Sequence, residues 1–398
     1  MFKNRWIILL ASFSMMFCVG GIYAWSAFAY ELMKGGYISA TQSQVIFSSI
    51  VGGFSAFMIL VGKLERKLRT LKKLVLTGAI LFSSGYFLVG FSGGDFLKIW
   101  LFLGVLGALG IGIIYTLGVG IPIRWFPPDR KGLVTGVSVG GFGLGAIVLP
   151  FIISYLIGLG YNIFQVFMIV GLSYLVIVGF SALLFDKPYY EENFVKEESG
   201  LKVKDIFKRW TFWRLWLGIF CGTFGGMMVA GSLKSIGLSK LNNESVVTIS
   251  ISLFAFANFM GRIVWGWIGD LIGSPRAIVL SFLCGAFTLL SLNVLSFGVV
   301  LYLVMVFLLG FSYGANFVLF ARETAERYGV DKVTLIYPFV FLGYSLASFA
   351  GPILGGFLYD LYGNYNSAIL ISFLIMVIGI IIFFKSAVFE RKALRMEG

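Results

Sequence analysis

Twelve runs of mostly apolar residues, set apart by charge or turn residues, constrain this chain more than any other feature. They cover residues 6–30, 43–61, 73–92, 98–121, 132–156, 163–184, 211–233, 245–269, 276–296, 299–321, 333–357 and 366–386. A helix of about 20 apolar residues crosses the roughly 30 Å hydrocarbon core of a bilayer, so each run predicts one spanning helix. The 398 residues are 59% hydrophobic and 12% charged, far more apolar surface than a water-soluble domain needs. The expected fold class is therefore all-α integral membrane. The first run has no small-residue cleavage site and reads as a retained helix, not a removable signal peptide.

Lysine and arginine set the orientation, because positive loops stay on the cytoplasmic side during insertion. With the N-terminus inside, 26 of the 31 basic residues fall in inward segments, and four (Lys34, Lys98, Lys234 and Lys240) fall outside. The last is Arg262, within the eighth run. Both termini are expected in the cytoplasm of a cell whose inner membrane holds the chain. The net charge of +13 is thus a topology signal, and no nucleic-acid partner is implied. Cys18, Cys221 and Cys284 stand alone in apolar helices and read as packing residues, not as disulfides or metal ligands.

The chain divides near its middle. Residues 186–210 form the one long polar segment, a cytoplasmic linker with a short amphipathic helix near residues 203–210, between halves at 1–185 and 211–398. The halves repeat: at an offset of 202 residues Gly112 matches Gly314, Asp129 matches Asp331, Pro150 matches Pro352 and Asn162 matches Asn364. Two parallel six-helix bundles related in this way are an architecture of secondary transporters, with the substrate between them near the bilayer midplane.

Motifs narrow the class. GWIGDLIGSPR places Gly266, Asp270 and Gly273 at the spacing of the loop signature of the major facilitator superfamily, which the chain resembles along its whole length. The first-half loop keeps Gly62 but has Arg66 and Arg69 where that signature has Asp and Gly. WFPPDRKGLVTGVSVGG, Trp125 to Gly141, resembles the helix-five signature of monocarboxylate transporters, and GGIYAWSAF, Gly20 to Phe28, resembles helix one of oxalate/formate antiporters. The resemblance implies the major facilitator fold, two pseudo-symmetric six-helix bundles, working as a monomer by alternating access.

Arg262 is the candidate centre of a site. An arginine at mid-bilayer costs about 2.5 to 3.5 kcal/mol on insertion scales and does not lose its proton. It could snorkel to the interface or pair with an acid. Asp270, eight residues on, is roughly 12 Å away, and all 18 acidic residues fall in loops or at ends of the apolar runs. An unpaired cation suggests an anion that arrives as substrate, and the planar two-oxygen partner of guanidinium is a carboxylate.

Asn258, one turn earlier, can donate to the same ligand or steady the guanidinium; a plain helix-packing role is the alternative. In animal monocarboxylate transporters the resemblance implies an Asp at this position as proton carrier, and here it is an amide. Counting residues puts Tyr115 at about the same depth as Arg262, roughly 7 Å toward the cytoplasm, as a second ligand through its hydroxyl. Tyr23 sits as far outward and reads as an upper wall or gate. Tyr344 falls near the middle of helix eleven, close to where oxalate/formate antiporters carry a lysine that this chain lacks. Each tyrosine could instead be a packing residue.

The expected function is secondary transport of a small monocarboxylate, lactate or pyruvate, with proton symport favoured over exchange; an organic-anion antiporter of the oxalate/formate kind is the runner-up. With no histidine, no P-loop and no paired intramembrane carboxylates, an enzyme would lack a general base, and no cofactor or metal site is expected. A transporter-like nutrient sensor is the remaining rival.

Overall fold

A computed structural model describes residues 5–67, 71–126, 131–185, 203–294, 298–329 and 333–396. Helices joined by short turns make up these segments. The helices are α1 (Arg5–Gly20), α2 (Trp25–Lys34), α3 (Ala40–Lys67), α4 (Leu71–Val89), α5 (Phe96–Ile99), α6 (Ala108–Trp125), α7 (Lys131–Gly158), α8 (Ile163–Leu184), α9 (Val203–Ile206), α10 (Trp210–Leu241), α11 (Glu244–Ile272), α12 (Ser274–Val294), α13 (Val299–Tyr328), α14 (Val333–Tyr362) and α15 (Asn366–Met396). A 3-10 turn, Gly21–Ala24, joins α1 to α2 in one pass, and a π-helical stretch, Trp100–Gly107, joins α5 to α6 in another. The result is twelve apolar passes, in the order read from the hydropathy pattern. Eleven are long and apolar enough to cross a membrane within the described residues, and the remaining one, α3, holds an uncharged stretch of 18 residues at 45–62.

The chain folds into two compact units, Met1–Val195 and Lys196–Gly398. Within the first, α1 packs on α7, α3 on α6 and α4 on α8; within the second, α10 packs on α14, α11 on α13 and α12 on α15. Counting by passes, these are the same pairings: first with fifth, second with fourth, third with sixth. Small residues make the contacts close, as they do where helices cannot rely on water to drive them together. A Cβ on Gly141 or Gly145 would run into the carbonyl oxygens of Phe13 and Phe17 on α1, so the glycine-rich start of α7 is a helix-contact surface. Asn162 caps α8 in a capping box with Gln165, and its repeat partner Asn364 accepts from the Asn366 N–H at the start of α15. Asp129 and Asp331 lie outside the described residues, as do residues 186–202 of the expected linker. The helix expected near residues 203–210 is the single turn α9, after which α10 begins.

Two polar residues correct the sequence reading. Lys234, counted there in an outward loop, lies inside α10, is 1% exposed and pairs with Glu244 at 3.0 Å. Glu323, placed beyond the tenth run, lies inside α13 and is 0% exposed. Its Oε1 accepts from Arg214 Nη2 and Arg327 Nε, each at 2.9 Å. In both cases a paired charge ends the apolar run before the helix ends.

Candidate functional site

The site residues divide between the units. Arg262 and Asn258 are on α11, and Tyr344 is on α14. Tyr115 is on α6, and Tyr23 lies in the turn between α1 and α2.

In the second unit, α11 and α13 touch where the site residues sit: a Cβ on Gly314 would strike the Asn258 carbonyl oxygen and press on the Arg262 backbone nitrogen. Phe317, one turn further along α13, presents its ring to the arginine, with Arg262 Cζ 4.4 Å from the ring centroid. Arg262 is partly buried, and among the described residues it pairs with no acid. Its Nε is buried without a hydrogen-bond partner. Asn258 is 5% exposed, and its Oδ1 is likewise buried and unpartnered. A cation, an amide and no resident anion therefore stand together on one turn of a membrane-crossing helix. The compensation for Arg262 missed in the sequence is Phe317, whose π face attracts the guanidinium without neutralising it.

Phe317 is itself held from several sides. Tyr344 meets it edge-on at 5.4 Å and 72°, and Tyr313 at 5.2 Å and 83°. Tyr337 donates its hydroxyl to the Phe317 carbonyl oxygen at 3.3 Å, tying α14 to α13. Tyr344, 2% exposed, also packs on Phe341 at 4.7 Å. Its place in the second unit is thus beside the ring under Arg262.

In the first unit Phe142 plays the bridging part. Tyr115 meets it at 5.7 Å and 86°, Tyr23 at 5.7 Å and 82°, and Tyr115 also rests against Phe54 at 5.7 Å. The two tyrosines expected at different depths share one aromatic contact. The 202-residue offset pairs Tyr115 with Phe317 and Phe142 with Tyr344. Each unit therefore carries the same edge-to-face couple between its fourth and fifth passes, with the hydroxyl on the fourth pass in one and on the fifth in the other. Extending the repeat beyond its four sequence matches would have found Phe317 and Phe142.

The loop signature also acquires a physical reason. Gly273 ends α11 with φ of +85°, a conformation side chains rarely adopt, so that α12 can start at once. Asp270 pairs with Arg322 of α13, whose Nε donates to Glu326 Oε1 at 2.7 Å. The first-half equivalents Arg66 and Arg69 fall where side chains are not described.

Twelve apolar passes in two like-paired sets of six define a multi-span membrane protein, and comparison with known proteins gives its family. The Major Facilitator Superfamily model matches residues 5–337 and 243–397, and the chain belongs to that family of transporters. It is 26% identical over 378 residues to the oxalate:formate antiporter of Oxalobacter formigenes, covering 93% of this chain and 88% of that protein. It is 23% identical over 317 residues to monocarboxylate transporter 13 of Bos taurus, covering 77% and 72%. The fold matches a solved bacterial homolog of the human lysosomal transporter Spinster, with a TM-score of 0.79 over 97% of each chain at 15% identity.

Proposed function

We propose that the chain is a secondary carrier of small monocarboxylates, lactate or pyruvate, in the cell membrane with both termini cytoplasmic. One observation carries this: Arg262 lies in a membrane-crossing helix with an aromatic face beneath it and no acid beside it among the described residues. The carboxylate supplies the missing charge through a two-bond fork. Asn258 lies one turn away, and its buried Oδ1 suits a donor such as the 2-hydroxyl of lactate. Tyr115 is the hydroxyl ligand proposed from the other half. The halves, residues 1–185 and 211–398 joined by 186–210, alternate access to this site as a monomer. Relatives named for monocarboxylate transport and for oxalate:formate exchange support an organic anion; one arginine balances one carboxylate, which favours a monoanion over oxalate.

Proton symport is the coupling we favour, with the proton travelling on or beside the substrate. Arg262 is positive when empty and neutralised when loaded, and Asn258 occupies the position where an acid would hold the proton. The oxalate:formate relative makes anion exchange the second reading. Uptake of radiolabelled lactate, pyruvate, formate and oxalate into proteoliposomes separates them. Symport gives lactate accumulation driven by an inward proton gradient without internal anion, exchange requires a preloaded anion, and a sensor or enzyme accumulates nothing.

Two substitutions probe the ligands. Tyr115→Phe removes one hydroxyl and should weaken lactate binding by about 1 to 3 kcal/mol, the range for a hydrogen bond to a charged group. Unchanged affinity in a lactate titration would leave Tyr115 as packing against Phe54 and Phe142. Asn258→Asp should lower uptake at neutral pH, because an ionised carboxylate one turn from Arg262 competes with substrate for the guanidinium. Uptake should recover partly in acid as that carboxyl is neutralised. Initial rates between about pH 5 and 8, spanning the carboxyl's protonation, test this; parallel profiles for wild type and variant would remove Asn258 from the site.

A further inference from the structure

We infer that Phe317 is the positioning residue for Arg262: it takes the guanidinium by its flat face and so leaves the edge of the fork for the carboxylate. The inference rests on the carboxylate reading above. A long arginine side chain in an apolar helix has many rotamers, and losing them on binding would weaken capture of a small anion. In the described residues the guanidinium has no acid partner, Nε is buried without an acceptor, and the Phe317 ring lies 4.4 Å from Cζ. A guanidinium stacked on a ring keeps its N–H groups in its own plane, so a ring under the face does not compete with a ligand at the edge.

The ring can serve this way because it cannot turn aside. Tyr313 and Tyr344 meet it edge-on at 83° and 72°, from α13 itself and from α14. Tyr313 is in turn anchored: it is 1% exposed, its hydroxyl lies 2.8 Å from Met227 Sδ, and a Cβ on Gly226 would collide with its ring. α10, α13 and α14 thus lock one phenyl ring, and the ring locates one cation. The repeat sharpens the point, since the position of Phe317 in the first unit is Tyr115. Phenyl and phenol both offer a π face, so the aromatic ring is what the two positions share.

The test replaces Phe317 with mono-, di- and trifluorinated phenylalanine by unnatural amino-acid incorporation, since fluorine withdraws electron density from the ring face at nearly constant shape. Lactate uptake should show KM rising stepwise with each fluorine, to about tenfold for the trifluorinated ring, while the maximal rate changes little. Phe317→Tyr should stay near wild type, and Phe317→Leu should raise KM at least as much as trifluorination. A purely structural role would not follow the fluorine count. A flat series, or KM falling with fluorination, would overturn the positioning role, the latter because the ring would then be a competitor for the cation. If Arg262→Ala is inactive while the fluorine series is flat, only the role of Phe317 fails; if Arg262→Ala transports normally, the carboxylate reading fails and this inference with it.

Discussion

Arg262→Ala is expected to abolish carboxylate transport while leaving the protein folded and inserted. Losing a fork of charge-assisted hydrogen bonds removes at least about 3 kcal/mol of binding, more than a hundredfold in uptake at low substrate. The same change relieves a helix of a cation that costs about 2.5 to 3.5 kcal/mol to insert, and breaks no ion pair among the described residues, though it removes the contact to Phe317. The purified variant should therefore melt no lower than wild type in a detergent thermal-shift assay. Arg262→Lys should bind poorly, because an ammonium keeps the charge but not the two-bond geometry. Wild-type transport by Arg262→Ala would show that the cation has another purpose.

Glu323 carries the second large effect, on stability. The carboxylate is 0% exposed, with Arg214 and Arg327 both donating to its Oε1, and Arg214 also lies 5.3 Å over the Phe383 ring. Removing one partner of a buried ion pair typically costs about 3 to 5 kcal/mol, because the remaining charge loses its buried acceptor. Glu323→Leu should thus lower the melting temperature sharply and reduce the yield of folded protein. Adding Arg214→Met to Glu323→Leu should restore part of the loss, since the more buried of the two cations no longer sits beside an apolar side chain. Arg327 is 31% exposed and can reach water, so its own replacement should cost less. A Glu323→Leu variant with unaltered melting would mean that the α10–α13 contact stands on packing alone.

The architecture was legible because the bilayer permits one solution for a long apolar run, and hydropathy reads it directly. Arg262 stood out for the same reason: a charge inside such a run has no neutral explanation. Three features were hidden. Lys234 and Glu323 looked like loop residues, because a charge neutralised by a partner on another helix is indistinguishable in sequence from one in water. Phe317 was one of 42 phenylalanines, and nothing in its neighbours in sequence says which faces a cation. Tyr23 and Tyr115 were placed by depth alone, which sorts residues along a helix axis but not around it; their common contact, Phe142, comes from how α1, α6 and α7 turn their faces to one another.

Lactate counterflow in proteoliposomes tests the central claim most directly, because it asks only whether a small monocarboxylate is carried and needs no assumption about coupling. Vesicles containing the wild-type protein are loaded with unlabelled lactate and diluted into a trace of labelled lactate with no pH gradient. Labelled lactate should accumulate transiently above its external level, equally well after loading with pyruvate, and not with Arg262→Ala or after loading with a neutral sugar. Absence of counterflow with every monocarboxylate tried, or counterflow undiminished in Arg262→Ala, would contradict it.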